Sequence, residues 1–488
     1  MRLKYLLNAV ALTLIYIGLV TFVPIVIALI FKEHSSILPF LLTGTISVIL
    51  GFLLKLIINH FLIQDKMTDI KKSEGLTIVM LCWLIFSVIA SIPFLFFGFS
   101  FENAFFEGIS GATATGATIL TSFNYPNTMF FWRSFIQWIG GMGIIVLFIA
   151  VLPQFAIAGR QMFFAEAPGP TEDKLTPRIK NTATALWVLY IVLTLLQIGL
   201  FIYFKMPWFD ALCNTFSTIS SGGFSNNPNS IMGYNSLAIN WITIIFMFFA
   251  GCNLALIYRV LSGFKYKLIF KNEEFKFYIG IILFVSLLIF AIQYLNANAA
   301  TLKNFTDCVF SVMSIMTSTG FQSCDYSKWT VSAQILLLIV IICGSSAGST
   351  GGGIKIMRFL IIFKYLKREL IKILHPNAIA TIKVDNKTVS NEIISQIITF
   401  VLFFFGIFLI NAIIVTIIEN DFIIGFSGSI ATLNVIGPAF GHIIGPSGSY
   451  ESLTPITKLI FMFNMIVGRL ELVPFLILLN KDYWVLKK

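Results

Sequence analysis

Four glycines in a common register constrain this chain more than any other feature. Gly116, Gly223, Gly320 and Gly437 are separated by 107, 97 and 117 residues. Three residues before them stand Thr113, Ser220, Thr317 and Asn434, all small and polar. Six residues before stand Ser110, Ser217, Ser314 and Ala431. Thirteen residues before stand Asn103, Asp210, Asp307 and, departing from the pattern, Ile424. Such recurrence implies four copies of one supersecondary unit.

The units are embedded in apolar sequence. Of the 488 residues, 57% are hydrophobic and only 11% charged, with a mean hydropathy of +0.91. Repeated apolar runs of about 20 residues identify an integral membrane protein with helical spans. Two runs, Tyr5–Phe31 and Ile37–Ile63, precede the first unit. The first is too long for a signal h-region and lacks a small-residue cleavage pattern, so it reads as a retained span. Each unit then supplies two spans. These are Gly75–Phe99 and Met129–Leu152, Ala183–Phe204 and Ser236–Leu261, Phe275–Leu295 and an interrupted Trp329–Phe363, then Glu392–Ile418 and Thr454–Leu479. The expected organisation is all-α with ten transmembrane helices. Residues 1–72 form two N-terminal helices outside the repeats, followed by units at 73–160, 161–270, 271–375 and 376–488.

The net charge of +11 invites a nucleic-acid reading, but its distribution points to membrane orientation. With both termini inside, the outer segments hold only Lys32, Arg133, Lys205, Lys303, Lys328 and Lys458. Most other lysines and arginines fall in inner segments, as the positive-inside rule expects. No nucleic-acid partner is expected, and no segment is long enough for a soluble domain. The inner loop Gln154–Asn181, containing PGPTEDKLTPR, reads as irregular.

Within each unit, a segment of about ten residues, such as Asp210–Ile219 or Asp307–Met316, is too short to cross a hydrocarbon core of about 30 Å. These segments read as re-entrant half-helices, with Asn103, Asp210 and Asp307 as N-caps. Non-helical backbone at membrane depth is tolerated only where it lines water or is buried in protein. A lone glycine of this kind would mark close helix packing. Four in register suggest a pseudo-fourfold pore, with carbonyls replacing an ion's hydration shell and helix C-termini aimed at a cation. The candidate filter residues are Thr113, Ala114, Thr115 and Gly116; Ser220, Ser221, Gly222 and Gly223; Thr317, Ser318, Thr319 and Gly320; and Asn434, Val435, Ile436 and Gly437. The hydroxyls of Thr113, Ser220 and Thr317 are further candidate ligands.

The stretch CGSSAGSTGGGIK runs from Cys343 to Lys355, and eight of its first eleven residues are glycine or serine. A continuous helix through it is disfavoured, since each glycine costs about 1 kcal/mol against alanine. A loop at membrane depth below the filter is expected, able to block the pore or swing aside. Its candidate gate residues are Gly344, Ser345, Ser346, Ala347, Gly348, Ser349, Thr350 and Gly351. The string is not a phosphate loop, because Ile354 separates the last glycine from Lys355 and Ile356 follows; no nucleotide is expected on this chain. Arg469, within an apolar run, is a functional candidate by default. It would face the cavity beneath the filter, repelling cations or holding the loop; a local pair with Glu471 is the alternative. Lys355 and Arg358 read as ordinary inner-surface charges. The six cysteines show no metal-binding spacing, and a Cys308–Cys324 disulfide on the outer side is an option.

The stretches TATGA (Thr113–Ala117), SSGGF (Ser220–Phe224), TSTGF (Thr317–Phe321) and NVIGP (Asn434–Pro438) carry a family resemblance. Together with AGSTGGGIK (Ala347–Lys355), WRSFIQWIGGMGI (Trp132–Ile144) and GRLE (Gly468–Glu471), they resemble the Trk/Ktr/HKT superfamily of potassium transporters. The two extra N-terminal spans are similar to its TrkH branch. The resemblance implies an inner-membrane homodimer with one potassium pathway per subunit, gated by a cytosolic ring of nucleotide-binding, TrkA-like regulatory subunits. It also implies that the glycine-rich loop is the gate, that the arginine below it is Arg469, and that Gly116 favours potassium over sodium. The transported ion would be K+, with no other cofactor. Two alternatives stay open: a sodium-conducting or ion-coupled member of the same architecture, and a membrane enzyme. The enzyme would need clustered carboxylates or histidines, which this sequence does not offer.

Overall fold

A computed structural model describes residues 3–61, 72–143, 179–263, 266–297, 301–378 and 380–472. Apart from a two-residue-strand hairpin, Lys383–Val384 against Lys387–Thr388, its regular elements are helical. Among the described residues, six helices are long and apolar enough to cross a membrane. A seventh candidate is a bent pair. The ends of the expected spans Met129–Leu152 and Thr454–Leu479, and most of the expected inner loop Gln154–Asn181, lie outside the described residues.

At the N-terminus, Leu3–Val20 lies along Ile37–Phe61. Small residues let the two backbones approach. A methyl group built on Gly51 would fall 2.8 Å from the Ala11 carbonyl oxygen, and one on Gly18 would fall 2.9 Å from Ser47 Cβ. The pair is anchored to the rest of the molecule through Glu33. Its Oε1 accepts from Asn127 N (2.8 Å) and its Oε2 from Thr128 N (2.9 Å) and Thr128 Oγ1 (2.6 Å). This carboxylate thus caps the helix Asn127–Met142 from a distant part of the chain, satisfying amides that no intrahelical carbonyl reaches.

Four long helices, Lys72–Phe96, Ile179–Tyr203, Glu273–Ala297 and Asn391–Glu419, are each followed by a short one. The short helices are Phe101–Ala112, Trp208–Ile219, Leu302–Met316 and Ile424–Leu433. At about 1.5 Å per residue none spans a bilayer core. Their N-caps differ from expectation. The short helices begin earlier than Asn103, Asp210 and Asp307, so these residues sit inside them. Ser100 and Thr301 supply two of the caps, and Pro207 stands at the third. The expected cap residues instead tie each short helix to other chain segments. Asn103 accepts from Lys458 Nζ (2.7 Å), Asp210 from Asn226 and Tyr234, and Asp307 from Ser323 Oγ (2.8 Å). The fourth short helix opens as a π-helix over Ile424–Gly428. There Asp421 Oδ1 accepts from Ile423 N (2.7 Å) and Ile424 N (3.1 Å), supplying the acid three residues before the position where the register looks for it.

The returning helices are less regular than the sequence suggests. Val331–Ile342 and Ile356–Leu374 flank the expected interruption. The run read as one span over Ser236–Leu261 is two helices, Leu237–Gly251 and Leu254–Gly263, bent by 99° at Cys252–Asn253. The apolar sequence conceals this break, but its cause is visible in the packing. Ala250 and Gly251 give their carbonyl oxygens to Thr350 N (3.2 Å) and Ser346 N (3.0 Å) of the glycine-rich loop, and Asn253 Oδ1 accepts from Leu256 N (3.1 Å).

Glu33→Ala is expected to cost about 1–2 kcal/mol through loss of this remote cap. The change should appear as a lower unfolding midpoint of the detergent-solubilised protein; an unchanged midpoint would contradict the anchoring role.

Candidate functional site

The four short helices end in the same way. Their C-caps are followed by Ala114 (φ 56°), Ser221 (φ 57°), Ser318 (φ 55°) and Val435 (φ 58°), all left-handed. The next amide in each, from Thr115, Gly222, Thr319 and Ile436, donates back to Ser110, Ser217, Ser314 and Ala431 at 2.8–2.9 Å. Together with the preceding amide bonded to Gly111, Thr218, Ile315 or Thr432, this is a Schellman termination. Glycine usually occupies the left-handed position, and a β-branched residue there is an outlier. Such strain persists where the surroundings enforce it, and clusters at functional sites.

Two residues on, Gly116, Gly223, Gly320 and Gly437 have φ of 83°, 76°, 78° and 90°. These four positions are mutually packed. A methyl built on Gly116 would lie 2.1 Å from the Gly222 carbonyl oxygen, and one on Gly223 would lie 1.9 Å from that of Thr319. One on Gly320 would lie 2.2 Å from the Ile436 oxygen, and one on Gly437 2.6 Å from the Thr115 oxygen. The stretches therefore meet in chain order and close into a ring. Glycine is required twice over here, for its dihedrals and for the contact.

Each junction of the ring has its own brace. Between the first and second stretches, Gln137 Nε2 donates to Gly222 O (2.6 Å) and its Oε1 accepts from Phe224 N (3.2 Å). Between the second and third, Met232 N donates to Gln322 O (2.9 Å). Between the third and fourth, Tyr326 Oη donates to Ala439 O (3.3 Å). Between the fourth and first, Tyr450 Oη donates to Gly437 O (2.6 Å), while Tyr450 N donates to Thr118 O (2.9 Å). Burial holds the Tyr450 phenol well above its ordinary pKa, so it remains a donor at any physiological pH.

The hydroxyls of Thr113, Ser220 and Thr317 donate to helix carbonyls, Thr113 to Ile109 (2.7 Å), Ser220 to Ser217 (3.2 Å) and Thr317 to Met313 (2.8 Å). Asn434, in the same register, is 1% exposed. Its side-chain amide has no hydrogen-bond partner among the described residues, and it abuts Gly353. The fourth stretch thus departs from the others in side chain while matching them in backbone.

The glycine-rich loop packs directly against this ring. Thr350 Oγ1 lies 2.9 Å from Ser221 Oγ, and Gly352 N donates to Ser318 Oγ (2.7 Å). A methyl on Gly351 would fall 2.6 Å from the Thr317 carbonyl oxygen, and one on Gly352 2.7 Å from that of Asn434. The loop thus touches the roots of three stretches. Gly344 N closes its neck on Ile354 O (3.0 Å), Ser345 Oγ lies 2.6 Å from Ser349 Oγ, and Gly348 O accepts from Leu254 N (3.2 Å). Glu274 Oε1 accepts from Ala347 N (2.6 Å). Arg469 holds the loop from the other side. Its Nη1 donates to Thr350 O (2.7 Å), and its Nη2 donates to Gly140 O (2.5 Å) and Gly141 O (2.7 Å). Arg469 and Thr350 line one cavity with Trp83, Met142, Leu254 and Lys355.

Several charges differ from their sequence reading. Lys355 is buried, not a surface charge, and its ammonium bonds the Gly351 carbonyl oxygen. Glu471 pairs with Arg358 rather than with Arg469, and the Arg358 guanidinium lies 3.9 Å from the Phe400 ring centre. Apolar surroundings force such groups to find partners. Arg133, read as an outer-segment charge, is 1% exposed and bonded to Glu107. Cys308 and Cys324 are free thiols, not a disulfide. No sequence pattern singles out Tyr326 or Tyr450. For Gln137 a signal exists: with Arg133 it is one of two long polar side chains four residues apart on a mainly apolar helix.

Apolar helices surrounding a ring of non-helical backbone define a membrane transport protein. The chain belongs to the TrkH family of cation transport proteins, whose family model matches residues 40–483. It is 36% identical over 423 residues to the Trk system potassium uptake protein TrkH of Salmonella typhimurium, covering 85% of this chain and 87% of that one. It is 33% identical over 496 residues to the TrkH of Vibrio parahaemolyticus, covering 99% and 100%. The crystal structure of the potassium transporter TrkH from Vibrio parahaemolyticus superposes with a TM-score of 0.88 at 31% identity, over 99% of this chain and 100% of that one.

Gly223→Ala is expected to destabilise the protein by about 3 kcal/mol or more, since strain and a backbone clash add. Gly280, with no atom within 4 Å of a built methyl, is the control. Gly280→Ala should leave the unfolding midpoint level or raise it, and equal midpoints for the two variants would contradict the ring packing.

Proposed function

We propose that this chain is the membrane subunit of a potassium uptake system, conducting K+ across the cytoplasmic membrane through the axis of the glycine ring. The observation that carries this reading is the closed contact order of Gly116, Gly223, Gly320 and Gly437, each set against a carbonyl oxygen of the next stretch. Backbone oxygens held in a ring replace the hydration shell of a potassium-sized ion. The negative C-terminal ends of the short helices favour a cation where they converge. The relatives' names as potassium uptake proteins support the same ion. In this reading residues 1–72 stand beside the pore, and 73–160, 161–270, 271–375 and 376–488 are its four repeats. The filter comprises 113–116, 220–223, 317–320 and 434–437.

The gate in this reading is the loop Gly344–Gly351, held shut by Arg469. Its bonds to Thr350, Gly140 and Gly141 clamp the loop between two helix ends, and its charge opposes a cation below the ring. Opening requires the clamp to yield, a task suited to TrkA-like cytosolic subunits acting on a homodimer. The positive-inside distribution supports both termini on the cytosolic side.

Liposomes loaded with potassium and carrying the purified protein should take up rubidium, with external potassium competing and sodium not competing. Sodium competing as well as potassium would overturn the assignment of the ion. Arg469→Gln should raise this flux by about tenfold, the effect of losing a charge-assisted hydrogen bond from the closed state. A folded variant with unchanged flux would remove Arg469 from the gate.

A further inference from the structure

The junction between the first two glycine stretches is built differently from the other three. There the bracing side chains come from the helix Asn127–Met142, on which Arg133 and Gln137 stand one turn apart and on one face. Gln137 grips the second stretch at Gly222 and Phe224. Arg133 continues that grip: its Nη1 donates to Ser225 O (3.1 Å), and its guanidinium carbon lies 4.1 Å from the Phe224 ring centre. The same guanidinium reaches the first stretch. Its Nε donates to Glu107 Oε1 (2.7 Å) and its Nη2 to Thr118 Oγ1 (3.1 Å). Glu107 is itself fully buried, and its Oε2 accepts from Ile119 N (2.9 Å). One planar cation therefore spans the exits of both stretches.

A buried ion pair is a costly way to obtain stability alone, because well-packed apolar residues of similar volume often serve as well. Its distinguishing property is geometric. A guanidinium offers rigid, directed donors, and any shift that separates it from its carboxylate leaves buried charge uncompensated. Neutral contacts, such as those of Tyr326 and Tyr450 at two other junctions, give way at smaller cost. The ion pair thus resists sliding of the first stretch against the second.

We propose that Glu107, Arg133 and Gln137 form a positioning brace that fixes the separation of the first two filter stretches and thereby helps the filter discriminate potassium from sodium. This rests on the potassium reading above. Ion preference depends on the size and stiffness of the carbonyl cage, and a cage free to contract at one side accommodates the smaller ion.

The test uses the full-length protein in detergent, where bound cation raises the unfolding temperature whether or not the gate is open. Half-saturating concentrations for thermal stabilisation are measured with potassium and with sodium, and their ratio is compared among variants. The double variant Glu107→Gln with Arg133→Met removes both charges without leaving either alone. Gln137→Leu removes the neutral part of the brace. The expected result is a fall of about tenfold in the sodium-to-potassium ratio for the double variant and a smaller fall for Gln137→Leu, the tenfold corresponding to the order of one charged hydrogen bond. A merely structural role would lower the starting unfolding temperature and leave the ratio unmoved. That result in either folded variant overturns the proposal. Should the double variant fail to fold, Gln137→Leu decides by the same criterion. A wild-type protein without preference for potassium overturns the functional reading and the brace with it. A potassium-selective wild type with unmoved variants overturns the brace alone.

Discussion

The contact between four glycine stretches is the constraint on which the rest of this structure depends. Backbone carbonyl oxygens approach neighbouring Cα atoms so closely that no side chain fits between them. The chain must hold four irregular segments in the middle of an apolar molecule, where unpaired backbone groups are costly. It does so by ending each short helix in a complete left-handed cap, which satisfies the last carbonyls within the segment itself. The strain of placing Ala114, Ser221, Ser318 and Val435 in that conformation is the cost of turning the chain at the right point.

The glycine-rich loop follows from the same constraint. Its small residues let it enter the space under the ring and touch three stretches through backbone and hydroxyl groups. Apolar contacts alone would not give it a unique position. Arg469, Glu274 and Lys355 each bond the loop backbone, so a segment with few side chains is located by charges that belong largely to other elements. An ionic arrangement of this kind changes state when one partner is drawn away, which suits the gate proposed for it.

The register of the glycines and the apolar runs were legible because both are local patterns: a period in sequence and a hydropathy long enough to cross a bilayer. The interruption after Cys343 was legible for the same reason, since glycine density lowers helix stability wherever it occurs. Apart from the bend hidden in Ser236–Leu261, the differences concern polar residues in apolar sequence. Asp210 and Asp307 have the composition of caps but face the returning chain. Lys355 and Arg133 have the composition of surface charges but are buried with partners. For Asp210, Asp307 and Arg133 the partner lies beyond the local segment, while Lys355 turns back onto Gly351 of its own loop; residue type alone specifies neither.

The sequence by itself determined a membrane-embedded helical chain with four glycine-centred stretches and one weak, glycine-rich break, because hydropathy and backbone freedom are properties of short segments. Only the tertiary structure decided that the stretches close in chain order, that the Leu237–Gly263 run bends where the loop docks, and that Arg469 bonds Thr350 rather than Glu471. These outcomes depend on which buried donor meets which acceptor, and inside an apolar molecule that pairing is fixed by packing across the whole chain.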